Sequence, residues 1–271
     1  MRGVSGNTYT HGHHESVLRS HRWRTAENSA GYLLPALEPG QRLLDVGCGP
    51  GTITVDLAEL LGPHGSVTAL ERTEEALDLA RAEAQRRDAR TVDFAVGDVQ
   101  ALDLPDASYD VVHAHQVLQH VDDPVQALRE MRRVCRPGGL VAARDSDYSA
   151  FTWYPAVPAL DDWLALYLRL ARSNDAEPDA GRRLLSWARA AGFTDVVAGS
   201  STWCYASPMD RAWWGGLWAD RVVDSDFARQ AVDRGLTDQA GLARIAAGWR
   251  AWADEEDGWF SVLHGEVLAR A

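Results

Sequence analysis

The chain has 271 residues, 46% of them hydrophobic, and a formal net charge of −12. That length suits one large α/β domain or a core with a smaller cap, and so acidic a balance argues against a partner bound by neutralising nucleic-acid phosphates. All 27 basic residues are arginine, which excludes lysine Schiff-base and lysine general-base chemistry, and Cys48, Cys135 and Cys204 are too few and too scattered for a disulfide framework or a zinc site.

The N-terminal stretch is polar, without an apolar signal region, and no later stretch approaches the roughly 18 uninterrupted apolar residues of a membrane helix. The expected location is therefore the cytoplasm, with no membrane partner. The abundance of Ala, Arg and Gly points to a GC-rich, bacterial genome. Residues 1–40 open with the polar tract Thr8 to Glu15, rich in histidine. A short amphipathic helix with Val17, Leu18 and Trp23 inward follows, and then a second helix over Asn28 to Leu37, stopped by Pro35 to Gly40. This arm is either a lid over a ligand or a solvated segment. Its His11, His13, His14 and Glu15 have weak metal-ligand spacing, and no metal is expected.

From Leu43 the pattern alternates strand and helix. Strands are expected at Leu43–Val46, Ser66–Leu70, Thr91–Val96, Tyr109–Ala114 and Leu140–Ala143, with helices to Leu61, over Thr73–Arg87 and over Pro124–Val134. Arg136 to Gly139 reads as a turn. Such alternation implies βαβ units, a doubly wound parallel sheet and right-handed crossovers. Beyond Ser146 the composition shifts, and ten of eleven tryptophans lie past residue 150. Helices are expected at Asp161–Arg172, Asp179–Ala191, Met209–Val232 and Asp238–Glu256, between strands at Thr194–Ala206 and Trp259–Ala269. The expectation is an α/β fold of the Rossmann-like type. It has an N-terminal arm (1–40), a sheet core (41–150), and a third part (151–271) that adds a helical cap and the last two of seven strands.

Four places carry chemistry. Asp45-x-Gly47-x-Gly49-x-Gly51 is a glycine turn between a strand and a helix N-terminus, which is a nucleotide-binding arrangement. Thr52 stands where the dinucleotide pattern needs a small third residue. Glu71 ends the second strand, where a carboxylate can accept from both ribose hydroxyls, and Asp98-Val99 ends the third, where a carboxylate and an amide can read an adenine edge. Each also has a structural reading, as a helix-flanking or turn carboxylate. His115 sits at the carboxyl end of the fourth strand, sharing a face with His113, and could line a ligand or act as a base. Asp145 and Asp147, after strand five, either meet a ligand or cap a helix.

The evenly spaced glycines, with Glu71, Asp98 and the segment Asp110-x-Val112-x-x-x-x-Val117-Leu118-x-His120, resemble class I S-adenosylmethionine (SAM) methyltransferases, and among them the UbiE-like subgroup. Asp122-Asp123-Pro124 and Arg136-Pro137-Gly138-Gly139 match that subgroup too, so the resemblance spans about residues 41–145. It implies SAM as cofactor and S-adenosylhomocysteine (SAH) as its product. It implies a cofactor site of Asp45, Gly47, Cys48, Gly49, Gly51, Glu71, Arg72, Asp98, Val99, His115 and Gln116. Tyr9, His13, His14 and His115 are the candidate bases. Rival α/β classes fit less well. A short-chain dehydrogenase and a P-loop protein both need a lysine, and the Asn/Asp-Pro-Pro-Tyr motif of amino-group methyltransferases is replaced by His115-Gln116-Val117-Leu118.

The tryptophan stripe (Trp213, Trp214, Trp218, then Trp249 and Trp252) reads first as core or homodimer-interface packing, and second as the wall of an acceptor pocket, for which Trp153 and Tyr154 are best placed. The expected function is methyl transfer to a small molecule of specialised metabolism, aromatic or indole-like, at carbon or nitrogen. The alternatives are a quinone or lipid-precursor C-methyltransferase, against which the lack of a basic amphipathic helix counts, and a non-catalytic SAM-binding sensor or scaffold.

Overall fold

The computed structural model describes the backbone from Glu15 and side chains from Leu18 to Ala271. Tyr9, His11, His13 and His14 lie outside the described residues. In chain order the elements are α1 (Glu15–Arg22), α2 (Ala26–Ala30), β1 (Arg42–Val46), α3 (Thr52–Leu61), β2 (Ser66–Glu71), α4 (Glu74–Arg86), β3 (Val92–Val96), β4 (Tyr109–His115), α5 (Pro124–Val134), β5 (Cys135–Ser146), β6 (Thr152–Tyr154), α6 (Pro158–Ser173), α7 (Leu184–Ala190), β7 (Val196–Tyr205), α8 (Pro208–Asp224), α9 (Asp226–Asp233), α10 (Gln239–Asp254) and β8 (Trp259–Arg270).

The strands form one eight-stranded sheet in the order β3-β2-β1-β4-β5-β8-β6, with β7 also paired to β8. Pairing from β3 to β5 is parallel, and β8 runs antiparallel to β5 and β6. The doubly wound α/β expectation holds, with one strand more than the expected seven: the three-residue β6.

The chain divides into two compact units. One holds His21–Ser146, Ala180–Ser201 and His264–Ala271, and the other holds Asp147–Asp179, Thr202–Leu263 and, of the described residues before them, Glu15–Ser20. In the first, period-two alternation sorts the strands onto two faces. Leu44, Val46, Val112, Ala114, Val141 and Ala143 face a core shared with α5 and α7, whereas Leu43, Val67, Val111 and Ala142 face one shared with α2 and α3. The second unit is built on α6, α8, α9 and α10. Its core is aromatic: Trp163, Trp218, Trp249, Trp252, Tyr167, Phe227 and Phe260 are all fully buried. Trp163 alone meets Trp218 at 4.6 Å and Trp249 at 4.9 Å, both edge to face, the geometry that ring quadrupoles favour. The stripe is therefore core packing.

Four expectations are corrected. The second N-terminal helix is only the five residues of α2, capped by Thr25, followed by a 3-10 turn at Leu34–Ala36 that Pro35 permits. Trp23 falls past the end of α1 and is 36% exposed. The long helix over Met209–Val232 is broken at Ser225, whose hydroxyl accepts from the Phe227 amide and restarts the chain as α9. Arg136 to Gly139 is not a turn between elements. β5 starts at Cys135 opposite Tyr109 and regains register at Leu140 opposite Val111, so those four residues bulge against a single partner.

Candidate active site

The site lies within the first unit, at the carboxyl ends of β1, β2, β3 and β4. β1 delivers Asp45 and Val46 and then breaks into the glycine loop, whose first amides, those of Gly47 and Cys48, donate to the Leu70 carbonyl of β2. The three glycines have different tasks. Gly51, at φ +80, starts α3, and a Cβ there would meet the Ala80 Cα of α4 at 2.9 Å, so this glycine exists for helix packing. A Cβ on Gly47 would strike Val117 at 2.5 Å. Gly49 has φ +55 and nothing within 4 Å of its Cβ position, so its backbone is the part of the loop open to a ligand.

Glu71 faces this loop. Its Oε1 accepts from the Gly49 amide at 2.9 Å and its Oε2 from the Arg72 amide at 3.1 Å. Each oxygen keeps a second lone pair, so the carboxylate can still take two hydroxyl donors. The Arg72 side chain itself is exposed. Asp98 makes a local turn, accepting from the Gln100 amide at 2.9 Å through Oδ1, with Val99 buried beside it. Cys48 is buried, and burial, with Asp45 and Glu71 adding to it, drives its thiol pKa up, so it stays a thiol.

Asp45 is turned inward. Its Oδ2 accepts from the Thr54 hydroxyl at 2.6 Å, and its Oδ1 lies 2.8 Å from His113 Nδ1, a pair that the β1–β4 register places side by side. Structurally it ties β1, β4 and α3 together beneath the loop. His113 Nε2 is buried without a hydrogen-bond partner among the described residues.

His115 and Gln116 close β4. The His115 ring is buried, and desolvation first, then Arg24 and Arg144, hold its pKa well below the ordinary imidazole value. That shift favours the neutral ring over the imidazolium. Gln116 has φ 55 and its amide side chain is gripped by Arg24, Ser146 and His264. Asp145 is fully buried and accepts from the Leu118 and Gln119 amides, both at 3.3 Å, so it caps the 3-10 turn after β4. Burial pushes its pKa up to about 7, and the two amides, Arg144 and Arg24 only partly oppose this.

Sequence reasoning missed a buried polar row on the face shared with α2. Along β4, β5 and β8 that face passes from Val111, Ala142 and Leu268 to His115, Arg144, Glu266 and His264. Arg144 donates to Glu266 and to Ser201, at 3.1 Å each, and the Ser201 hydroxyl donates to the same Glu266 oxygen. The Tyr32 hydroxyl is also buried, without a hydrogen-bond partner among the described residues. Burial raises its pKa well above the usual value, against the lowering pull of Arg144, so it remains a phenol. The available signal was charge inside apolar strands: Arg144 follows Val141-Ala142-Ala143, and Glu266 precedes Val267-Leu268-Ala269.

A family model described as a methyltransferase domain matches residues 37–189, more than half of the chain. An uncharacterized methyltransferase of Schizosaccharomyces pombe is 34% identical over 269 residues, covering 96% of this chain and 95% of that protein. A demethylmenaquinone methyltransferase of Listeria welshimeri is 35% identical over 136 residues, covering 50% of this chain and 55% of that protein. Among solved structures, the YcgJ protein from Bacillus subtilis matches with a TM-score of 0.55 at 21% identity, covering 90% of this chain and 98% of that chain, a likeness of fold. The chain belongs to the methyltransferase-domain family, in the class I group that takes its methyl group from SAM. It is a SAM-dependent methyltransferase.

The residues present fit that cofactor. Gly49 leaves the backbone open where a Cβ would otherwise stand, and Glu71 offers two oxygens beside it. When bound, SAM supplies an electrophilic methyl group on a sulfonium. The chain has to hold it, align an acceptor and exclude water.

Proposed function

We propose that the methyl group goes to a small molecule, aromatic or indole-like, and that it is accepted at carbon or nitrogen. The cofactor would be held by the glycine loop, by Glu71 and Arg72 at the ribose, by Asp98 and Val99 at the adenine, and by the β4 end at His115 and Gln116. The observation that carries the preference for carbon or nitrogen is the state of His115. A ring held far below its usual pKa is a poor acceptor for a proton that must leave before transfer. Electron-rich carbon and neutral nitrogen attack first and lose their proton afterwards, so they need no strong base, whereas a hydroxyl acceptor does. Asp145, a second buried group of the site, has its oxygens turned to the Leu118 and Gln119 amides. Tyr9, His13 and His14 remain the proposed proton acceptors from the N-terminal arm. Trp153 and Tyr154, the pair that the sequence offers for an aromatic acceptor, belong to the second unit, where Trp153 stacks on Phe260 at 5.6 Å and Tyr154 is 59% exposed.

A second reading, methylation of a quinone precursor at carbon, is favoured by the likeness to the Listeria protein, although that likeness spans only half of this chain. Incubation with methyl-labelled SAM and a panel of indoles, amines, phenols and a short-chain demethylmenaquinone analogue tests both. Label in an indole or amine is the expected result. Label only in phenol oxygens overturns the reading, and label only in the quinone analogue replaces it with the second.

A further inference from the structure

Gln116 closes β4 in the left-handed region, at φ 55, where a residue with a Cβ stays only if its surroundings hold it. Four hydrogen bonds do so. Its main-chain amide donates to the Arg144 carbonyl at 2.7 Å. Its side-chain oxygen accepts from Arg24 Nη2 at 2.6 Å. Its side-chain nitrogen donates to the Ser146 hydroxyl at 2.8 Å and lies 2.9 Å from His264 Nε2.

The chemistry of the partners fixes every direction in this chain. A guanidinium has donors only, so it must face the amide oxygen of Gln116. The amide nitrogen then faces His264, and it too can only donate. His264 Nε2 must therefore be the bare nitrogen, which leaves the ring neutral with its proton on Nδ1. This imidazole is fully buried and stacks on His115 with ring centroids 6.1 Å apart. It is the cross-strand partner of Ser146, at the same sheet edge as the glycine loop.

We propose that Gln116 is a positioning residue that acts through His264. Both side-chain N–H groups and one lone pair of its oxygen are engaged, which leaves the cofactor at most the oxygen's second lone pair. It polarises a one-way chain, Arg24 to Gln116 to His264, that keeps the His264 imidazole uncharged and stacked on His115. The use of that arrangement rests on the methyltransferase reading. A sulfonium cofactor is a cation, and an imidazolium at the same edge would repel it.

The test reads the ring nitrogens directly. Nuclear magnetic resonance on protein labelled at histidine, recorded without and with SAM, assigns the His264 signals by their loss in His264→Gln. The expected spectrum shows a proton on Nδ1 and none on Nε2, and a proton on Nε2 overturns the proposal without the need for any variant to fold. Gln116→Glu offers only acceptors, so it should move the proton to Nε2, and an unmoved proton there overturns the role given to Gln116. Calorimetry then compares SAM with SAH. His264→Gln, neutral, should keep the affinity ratio within about twofold, and His264→Lys should lower SAM relative to SAH at least tenfold. An unchanged ratio in the lysine variant sinks the electrostatic purpose. Wild-type protein that binds neither SAM nor SAH would count against the methyltransferase reading alone, because the tautomer result stands without it.

Discussion

Glu71 does two things with one carboxylate: it pins the Gly49 amide and it leaves lone pairs for a ligand. Asp98 spends one oxygen on its own turn. Glu71→Ala and Asp98→Ala should each weaken SAM binding by about 1–3 kcal/mol, the cost of a lost buried hydrogen bond, measured by calorimetry. Glu71→Ala should lie at the upper end, because it also releases the loop. Asp145 makes a prediction about pH. Its pKa rises from 3.8 in the unfolded chain to about 7 in the folded one, so between those values the folded state binds more protons. Its contribution to stability is complete below about pH 4 and is lost as pH rises toward 7. At 1.36 kcal/mol per pKa unit the loss is on the order of 4 kcal/mol. Asp145→Asn should flatten that part of the stability curve in denaturant titrations across this window, and a variant as pH-dependent as the parent would refute the assignment. The carboxylates that end strands were legible from spacing alone, since a strand, its turn and the first residue beyond are set locally. His264, Arg144 and Glu266 were not, because only the β5–β8 register brings residues about 120 positions apart onto one face.

At the scale of elements, the glycine loop separates into packing and binding parts. Gly51→Ala puts a Cβ against the backbone of α4 and strains a left-handed residue, and it should cost about 1–3 kcal/mol. Gly49→Ala meets open space, so only the strain of its positive φ remains, at about 1 kcal/mol. Melting temperature should therefore fall more for Gly51→Ala, while SAM affinity should fall for Gly49→Ala even where the fold survives. In the second unit the helices are held by rings. Trp163 is fully buried against three other tryptophans, and Trp163→Ala should destabilise by about 3–5 kcal/mol in urea unfolding. Helix periodicity was readable in α3, α4, α5, α6 and α10. The break at Ser225 and the shortness of α2 were not, because a capping hydroxyl and a proline-led 3-10 turn compete with helix continuation by margins that apolar spacing does not record.

At the scale of the whole molecule, a ligand that binds only the folded chain raises its stability by mass action, by about 2.7 kcal/mol at a hundredfold excess over the dissociation constant. Melting temperature should rise with added SAM or SAH, and Glu71→Ala should blunt the rise at equal ligand concentration. No rise with either ligand would contradict the cofactor site. The sequence by itself determined the alternating strands and helices from β1 to β5, the glycine turn and the acids at the ends of β2 and β3, and through them the methyl donor. All of these are written in stretches of a few tens of residues, where periodicity, turn chemistry and strand ends act. Tertiary structure decided that the tryptophans fill a core, that Asp45 is a tie beneath the loop, and that buried polar groups of β4, β5 and β8 line up on one sheet face. Those outcomes depend on which distant residues share a face, and strand register, fixed only when the sheet forms, sets that.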